Sequence, residues 1–91
     1  MLQKEIFIKV RQIIASVLEI DPNQILPHST LRENLGIESM NLLLIIGELQ
    51  VEYDIDIPLR DLSPNGRHDI PLSLTVNNVC EYITGKLVKT S

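Results

Sequence analysis

Ser39 is the side chain that the sequence places most clearly for chemistry. It follows Gly36 and opens an apolar stretch, so we expect an accessible hydroxyl at the N terminus of a helix. A helix N terminus favours a phosphate ester at this position. Ser39 could instead act only as the helix cap, although Leu42 stands where a capping box needs Glu or Gln. The serine alone leaves both interpretations open.

The other reactive side chains form no catalytic or metal-binding pattern. Cys80 falls on an apolar stripe without an activating partner, which indicates a buried structural thiol. His28 and His68 lie in predicted loops without ligand spacing, so we assign no metal site. Asp54 and Asp56 precede a proline in a setting typical of a solvated loop. We therefore expect no catalytic residue and no metal.

Composition and charge restrict the function further. The chain has 91 residues, a formal net charge of −4 and 44% hydrophobic residues, which fits a single domain spanning residues 1–91. An acidic chain with scattered basic residues argues against nucleic-acid binding. No stretch approaches the roughly 20 apolar residues of a membrane span. One cysteine cannot form an internal disulfide, and the N terminus is not a signal peptide, so we expect a cytoplasmic location. We also expect a monomer.

Apolar periodicity predicts an all-α bundle of three main helices and one short helix. The predicted helical ranges are residues 2 to about 20, 39 to about 53, one turn within 58–63, and 76 to about 87. Pro22 is expected to end the first helix, and Thr75 to cap the last. Residues 89–91 are expected to fray.

Two segments should be packed in unusual ways. The connection 21–38 is predicted to be an ordered loop whose apolar residues pack on the bundle, namely Ile25, Leu26, Leu31, Leu35 and Ile37. In the second helix, residues 42–46 are consecutively apolar and surround the axis. One or two of these five should be exposed as a contact surface, unless a neighbouring loop covers them.

Residues 35–40 (Leu-Gly-Ile-Glu-Ser-Met) resemble the attachment motif of the acyl carrier protein family, Leu-Gly-(Leu/Ile/Val)-Asp-Ser-(Leu/Met). Residues 20–22 are similar to the start of the family's first long loop. Residues 55–58 resemble the loop after its second helix, and residues 75–76 resemble the start of its final helix. The matching segments occur in the family's order and cover most of the chain.

The resemblance implies a non-catalytic carrier of the acyl-carrier-protein fold. Ser39 would receive a covalent 4′-phosphopantetheine arm from coenzyme A through a phosphopantetheinyl transferase, with Gly36, Glu38 and Met40 as the flanking motif. The arm would hold an acyl or aminoacyl group as a thioester, at high effective concentration for each enzyme that docks. The implied partners are that transferase, an acyl- or aminoacyl-activating enzyme, and synthase or transferase enzymes.

The resemblance also suggests a partner-binding surface along the second helix. Its expected residues are Met40, Leu43, Leu44, Gly47 and Glu48. Asn41 and Leu44 stand where fatty-acid carriers commonly have acids, and Glu38 replaces the usual aspartate. Docking should therefore be more apolar than in a housekeeping fatty-acid carrier. This departure favours a dedicated polyketide, nonribosomal peptide or aminoacyl pathway.

Three alternatives compete with this hypothesis. An arm-less helical module of the same fold would bind a partner helix through its exposed leucines and leave Ser39 unmodified. A housekeeping fatty-acid carrier would keep the arm but differ in cargo. A small DNA-binding domain would need a basic recognition helix, which neither long candidate helix provides. The sequence does not distinguish an acyl from an aminoacyl cargo.

Overall fold

The computed structural model describes residues 2–66 and 69–90, so His68 and Ser91 lie outside the described part. Four helices and no strand are found there. The helices are α1, Leu2–Leu18; α2, Ser39–Tyr53; α3, Leu59–Leu62; and α4, Val76–Thr90. The predicted all-α bundle of three main helices and one short helix is confirmed.

The core is aliphatic and lies between the three long helices, with α1 packed against both α2 and α4. Each long helix buries residues spaced three or four apart, which is the pattern of an amphipathic helix facing a core. The central buried side chains are Ile6, Val10, Ile14, Leu42, Ile45, Leu49, Val76, Val79 and Ile83. Removing this apolar surface from water supplies the main driving force for folding.

The end of α1 differs from the prediction. The helix stops at Leu18, because Glu19 adopts a left-handed φ of 58°. The N–H of Ile20 then donates to the carbonyl of Ala15 at 3.1 Å and closes the C terminus. The prediction that α1 continues to residue 20 was wrong, because a left-handed residue ends the helix before Pro22 is reached.

The connection between α1 and α2 is ordered, as predicted, and is tied by hydrogen bonds to α1 and to the segment before α4. It opens with a 3₁₀ turn, Pro22–Gln24. Arg11 Nε on α1 donates to the carbonyl of Ile25 at 3.0 Å. Further along, the N–H of Leu31 donates to the carbonyl of Leu74 at 2.9 Å, which links the connection to the residues before α4.

Four of the five apolar residues expected to pack in this connection do so. Ile25, Leu31 and Ile37 are buried, and Leu35 is half-buried. Leu26, by contrast, is 43% exposed, so the prediction that it packs on the bundle was wrong. Its N–H donates to Ser29 Oγ in a tight turn. The neighbouring Ile25 takes the inward position.

Side chains from both neighbouring helices hold the α3 region. Gln50 Oε1 on α2 accepts the N–H of Ile57 at 2.8 Å. The hydroxyl of Tyr82 on α4 donates to the carboxylate of Asp61 on α3. Burial, and then the hydrogen bond to Asp61, raise the pKa of Tyr82, so the hydroxyl keeps its proton and remains the donor.

The helix α4 begins where predicted and continues further. Thr75 Oγ1 accepts the N–H of Asn78 at 3.1 Å, and Asn78 Oδ1 accepts the N–H of Thr75 at 2.9 Å. These reciprocal bonds form a capping box, and the predicted cap is confirmed. The predicted end near residue 87 was wrong, because the helix extends to Thr90. The fraying expected for residues 89–91 stays a prediction.

Candidate functional site

Ser39 is the first residue of α2, and its side chain is half-buried. The helix cap is Glu38, whose extended backbone has φ −104° and ψ 174°. The N–H of Glu38 donates to Asn41 Oδ1 at 3.0 Å, in the pattern of a capping box. The interpretation of Ser39 as the cap was therefore wrong, as was the expectation that no capping box is present. The serine hydroxyl is not needed to close the helix.

The N terminus of α2 leaves polar groups available beside this hydroxyl. The first backbone hydrogen bond of the helix joins the N–H of Leu42 to the carbonyl of Glu38 at 2.9 Å. Within the described part of the chain, neither the Ser39 hydroxyl nor the N–H groups of Ser39 and Met40 have a hydrogen-bond partner. Free N–H groups at a helix N terminus attract anions. The arrangement therefore fits a phosphate ester on Ser39.

The residues before Ser39 fix where α2 begins. Gly36 has a left-handed φ of 66°, a conformation that costs little for glycine and strains other residues. Ile37 is buried, and its N–H donates to the carbonyl of Leu31 at 2.9 Å. The turn at Gly36 and the anchor at Ile37 thus place Ser39 at the end of the bundle where the first connection joins α2.

The outward face of α2 is apolar. The helix buries four side chains, those of Leu42, Ile45, Ile46 and Leu49. On the opposite side, Met40 is 64% exposed, Leu44 is 57% exposed and Val51 is 84% exposed. The prediction that part of the run 42–46 is exposed is confirmed by Leu44. Large apolar side chains left in water on one helix face are typical of contact surfaces.

A groove of about 320 Å³ runs along this face. Its lining residues are Leu43, Leu44, Gly47, Glu48 and Val51. Four of these belong to the surface expected from the sequence, while Met40 lies nearer the N terminus of α2. Val51 was missed, although it lies seven residues after Leu44 and therefore two helical turns along the same face.

The carboxylates of Glu48 and Glu52 differ in whether they form an ion pair. Glu52 pairs with Lys9 on α1 at 3.7 Å, and both side chains are partly exposed. The carboxylate of Glu48, on the wall of the groove, has no ion-pair or hydrogen-bond partner within residues 2–66 and 69–90. The groove therefore combines apolar walls with one free carboxylate.

The thiol of Cys80 is buried in the core, as predicted. Burial, with a smaller contribution from the charge of Glu81, raises the pKa of Cys80 to about 11. The nucleophilic form of a cysteine is the thiolate, so this thiol is held in its unreactive form. In the described residues, no group of three or more His, Cys, Asp or Glu is placed to hold a metal ion.

Comparison with known proteins identifies the class to which this site belongs. The profile of a family described as "Phosphopantetheine attachment site" matches residues 9–65, which is more than half of the chain. The acyl carrier protein of Chlorobium phaeovibrioides is 34% identical over 86 residues, covering 94% of this chain and 100% of the relative. That of Chlorobium luteolum gives the same values. That of Thermosynechococcus vestitus is 29% identical over 85 residues, covering 93% and 95%.

The matched range and the relatives define a phosphopantetheine-binding carrier protein. The chain belongs to the acyl carrier protein family, and its cofactor is covalently attached 4′-phosphopantetheine. The relatives are carrier proteins by name, and the family interacts in general with a phosphopantetheinyl transferase and with synthases. None of the helices in the described part of the chain is long and apolar enough to span a membrane.

Proposed function

We propose that Ser39 is the residue that carries the arm, and that the chain holds an acyl or aminoacyl group there for partner enzymes. The observation that carries this proposal is the position of Ser39 at the N terminus of α2, with a hydroxyl that Glu38 and Asn41 make unnecessary for capping. When bound, the arm supplies a terminal thiol that forms a thioester. The chain itself supplies the attachment point.

Attachment of the arm is a phosphoryl transfer from coenzyme A that a separate transferase catalyses. Ser39 Oγ attacks the phosphorus nearest the pantetheine, and a new O–P bond forms. The bond from that phosphorus to the bridging oxygen breaks, adenosine 3′,5′-bisphosphate leaves, and the hydroxyl proton passes to a base of the transferase. The free N–H groups of Ser39 and Met40 favour the negative charge that the phosphate keeps.

The chain contributes position rather than chemistry in this proposal. Gly36 supplies the left-handed turn, Glu38 caps α2, and Met40 exposes an apolar side chain beside the attachment residue. A tethered group is presented to each docked enzyme at a high effective concentration. Hydrolase or transferase activity of the purified chain alone would contradict this role.

We propose further that partner enzymes dock on the outward face of α2, at Met40, Leu43, Leu44, Gly47 and Glu48. Exposure of Met40 and Leu44 supports this assignment, because both lie within two turns of Ser39. The scarcity of acids on this face supports a dedicated biosynthetic pathway over housekeeping fatty-acid synthesis. The cytoplasmic location remains a prediction.

The direct test is the intact mass of the purified chain after incubation with coenzyme A and a broad-specificity phosphopantetheinyl transferase. We expect a gain of one phosphopantetheine, abolished in Ser39→Ala. Ser16→Ala is the matched control, because Ser16 is an exposed helical serine on α1 and should leave the mass gain unchanged. Modification that persists in Ser39→Ala would overturn the assignment.

The exposed apolar face of α2 also favours a second candidate, an arm-less interaction module of the same fold. This candidate predicts no mass gain with several transferases on a folded sample that is not already modified. A gain at Ser39 excludes it. The result therefore decides between the two functions.

The class of cargo and the pathway require a separate experiment. The modified chain is incubated with a panel of acyl- and aminoacyl-activating enzymes and their donors, and thioester formation is followed by mass. Apolar docking predicts a loading rate that changes little between low and high salt, because salt screens charges and not apolar contacts. A steep fall in rate with salt would instead indicate docking of the acidic, fatty-acid-carrier kind.

A further inference from the structure

Four residues on the outward face of α2 have the spacing of a knob-accepting hole. Leu44, Gly47, Glu48 and Val51 lie at positions i, i+3, i+4 and i+7 of the helix. When two helices pack closely, a side chain of one inserts between four residues of the other at this spacing. Here the four residues surround the groove of about 320 Å³, and no described residue fills it.

Gly47 forms the floor of this hole without an evident structural reason. It lies in the middle of α2, where glycine destabilises a helix relative to alanine. A Cβ added at Gly47 would meet no heavy atom within 4 Å, and its φ is not one that requires glycine. Packing inside the chain therefore does not explain the missing side chain. A group that packs against the helix from outside the chain does explain the missing side chain.

We propose that the hole over Gly47 receives one bulky apolar side chain of the phosphopantetheinyl transferase, with a lysine or arginine of that enzyme beside it. The inference rests on the proposed modification of Ser39. It adds a defined contact to that function, namely a knob from the enzyme packed between Leu44 and Val51.

The position of the hole favours the transferase as occupant. The lining begins at Leu43, four residues after Ser39, which is about 6 Å along the helix axis. Met40, 64% exposed, continues the apolar face up to the serine. An enzyme that reaches the Ser39 hydroxyl along this face therefore covers the hole.

The negative charge of Glu48 favours a basic partner over a second copy of the chain. Glu48 lies on the wall of the hole, and its carboxylate has no ion-pair or hydrogen-bond partner in the part of the chain that the structure describes. Two antiparallel copies of α2 crossing at Gly47 would bring their Glu48 carboxylates together, which is unfavourable. A lysine or arginine on the transferase would instead pair with Glu48.

The experiment measures kcat/KM of a phosphopantetheinyl transferase for the full chain, with each member of a transferase panel that modifies the wild type. Gly47→Leu fills the hole with a residue that favours helix. Gly85→Leu is the matched control, because Gly85 is also a mid-helix glycine whose Cβ would meet nothing within 4 Å. We expect kcat/KM to fall at least about tenfold in Gly47→Leu, mainly through KM, and to stay within about twofold in Gly85→Leu.

Two further variants keep the test decisive if Gly47→Leu misfolds. Gly47→Ala adds one methyl group to the floor, and Glu48→Gln removes the wall charge without changing shape; both should raise KM while helix content is unchanged. An unchanged KM in every folded variant would overturn the inference, as would an equal loss in Gly85→Leu or dimerisation of the wild type through this face. Absence of modification in the wild type would instead overturn the proposed function itself.

Discussion

The helices α2 and α4 are alike in length but differ in what they present to solvent. Each has 15 residues and contains one glycine beside which a side chain would find open space. Each also borders a groove of similar size, about 320 Å³ on α2 and about 340 Å³ on α4. Glu48 is the one charged residue among the five that line the α2 groove, whereas three of the five that line the α4 groove are charged. The α4 groove is lined by Asp61, Glu81, Tyr82, Gly85 and Lys86.

Three of the residues that line the α4 groove interact with one another. The Tyr82 hydroxyl donates to Asp61, and Lys86 Nζ lies 5.6 Å from the centroid of the Tyr82 ring. By contrast, Met40, Leu44 and Val51 on the outer face of α2 remain mostly exposed. Under the proposed function, the feature that distinguishes α2 as the docking helix is the exposed apolar surface on its outer face, because both helices border a groove.

The largest expected effect is on stability, and it distinguishes the buried face of α2 from its exposed face. Leu49→Ala should lower the free energy of unfolding by about 2–5 kcal/mol, because Leu49 is fully buried and its removal leaves a cavity. Leu44→Ala should change it by no more than about 0.5 kcal/mol, because the side chain is 57% exposed. Urea denaturation followed by circular dichroism measures both. Similar losses in the two variants would mean that Leu44 is part of the core.

The next prediction concerns the buried face of α4. Because burial raises the pKa of Cys80 to about 11, the folded chain should react with iodoacetamide at pH 8 about a hundredfold more slowly than the unfolded chain. Labelling in buffer and in urea, followed by mass spectrometry, measures this ratio. Equal rates would show that the thiol is reachable in the native state.

The same raised pKa fixes the sign of a pH effect on stability. Below about pH 9 the thiol is protonated in both states, and its contribution to stability is complete. Between about pH 9 and 11 the unfolded thiol loses its proton first, so the free energy of unfolding should fall as pH rises. Cys80→Ala should reduce this fall but not abolish it, because burial also raises the pKa of Tyr53 and Tyr82.

A smaller effect on stability is expected for the hydrogen bond between Tyr82 and Asp61 beside the α4 groove. Tyr82→Phe removes the hydroxyl that donates to Asp61 and should lower the free energy of unfolding by about 1 kcal/mol. The rate of modification at Ser39 should not change, because this bond holds α3 to α4 and does not reach the outward face of α2. A lower modification rate in a stable Tyr82→Phe variant would show that the two regions are coupled.

The long elements could be predicted from the sequence because their signals are local and repeated. The apolar run after Ser39 and the stop signals from Asp54 to Pro58 predicted both bounds of α2 correctly. Thr75 marked the start of α4, because a cap depends on its own hydroxyl. The end of α1 could not be predicted from Pro22, since a left-handed Glu19 ends the helix earlier.

The details of the candidate site were harder to predict for a physical reason. The cap was considered at Ser39, with residue 42 as its capping-box partner. The bond that closes the start of α2 instead joins Glu38 to Asn41, so each partner lies one residue earlier in the chain. Leu26 was expected inside because it is apolar, yet only one of two adjacent apolar residues in a turn can face the core. Val51 was missed because an exposed valine is identified by the helix face that it shares with Leu44, which becomes evident once the buried face is fixed.

The smallest expected effect on stability comes from the two mid-helix glycines, which allow α2 and α4 to be compared directly. Gly47→Ala and Gly85→Ala should each raise the free energy of unfolding by about 0.5–1 kcal/mol, because alanine favours helix and neither Cβ meets a neighbour. The double variant should show the sum, since the glycines lie on different helices. Urea midpoints at constant m-value measure these gains. Equal gains combined with slower Ser39 modification in Gly47→Ala alone would mean that α2 gives up helix stability to leave room for a partner. Equal modification rates in the two variants would mean that Gly47, like Gly85, has no role in partner binding.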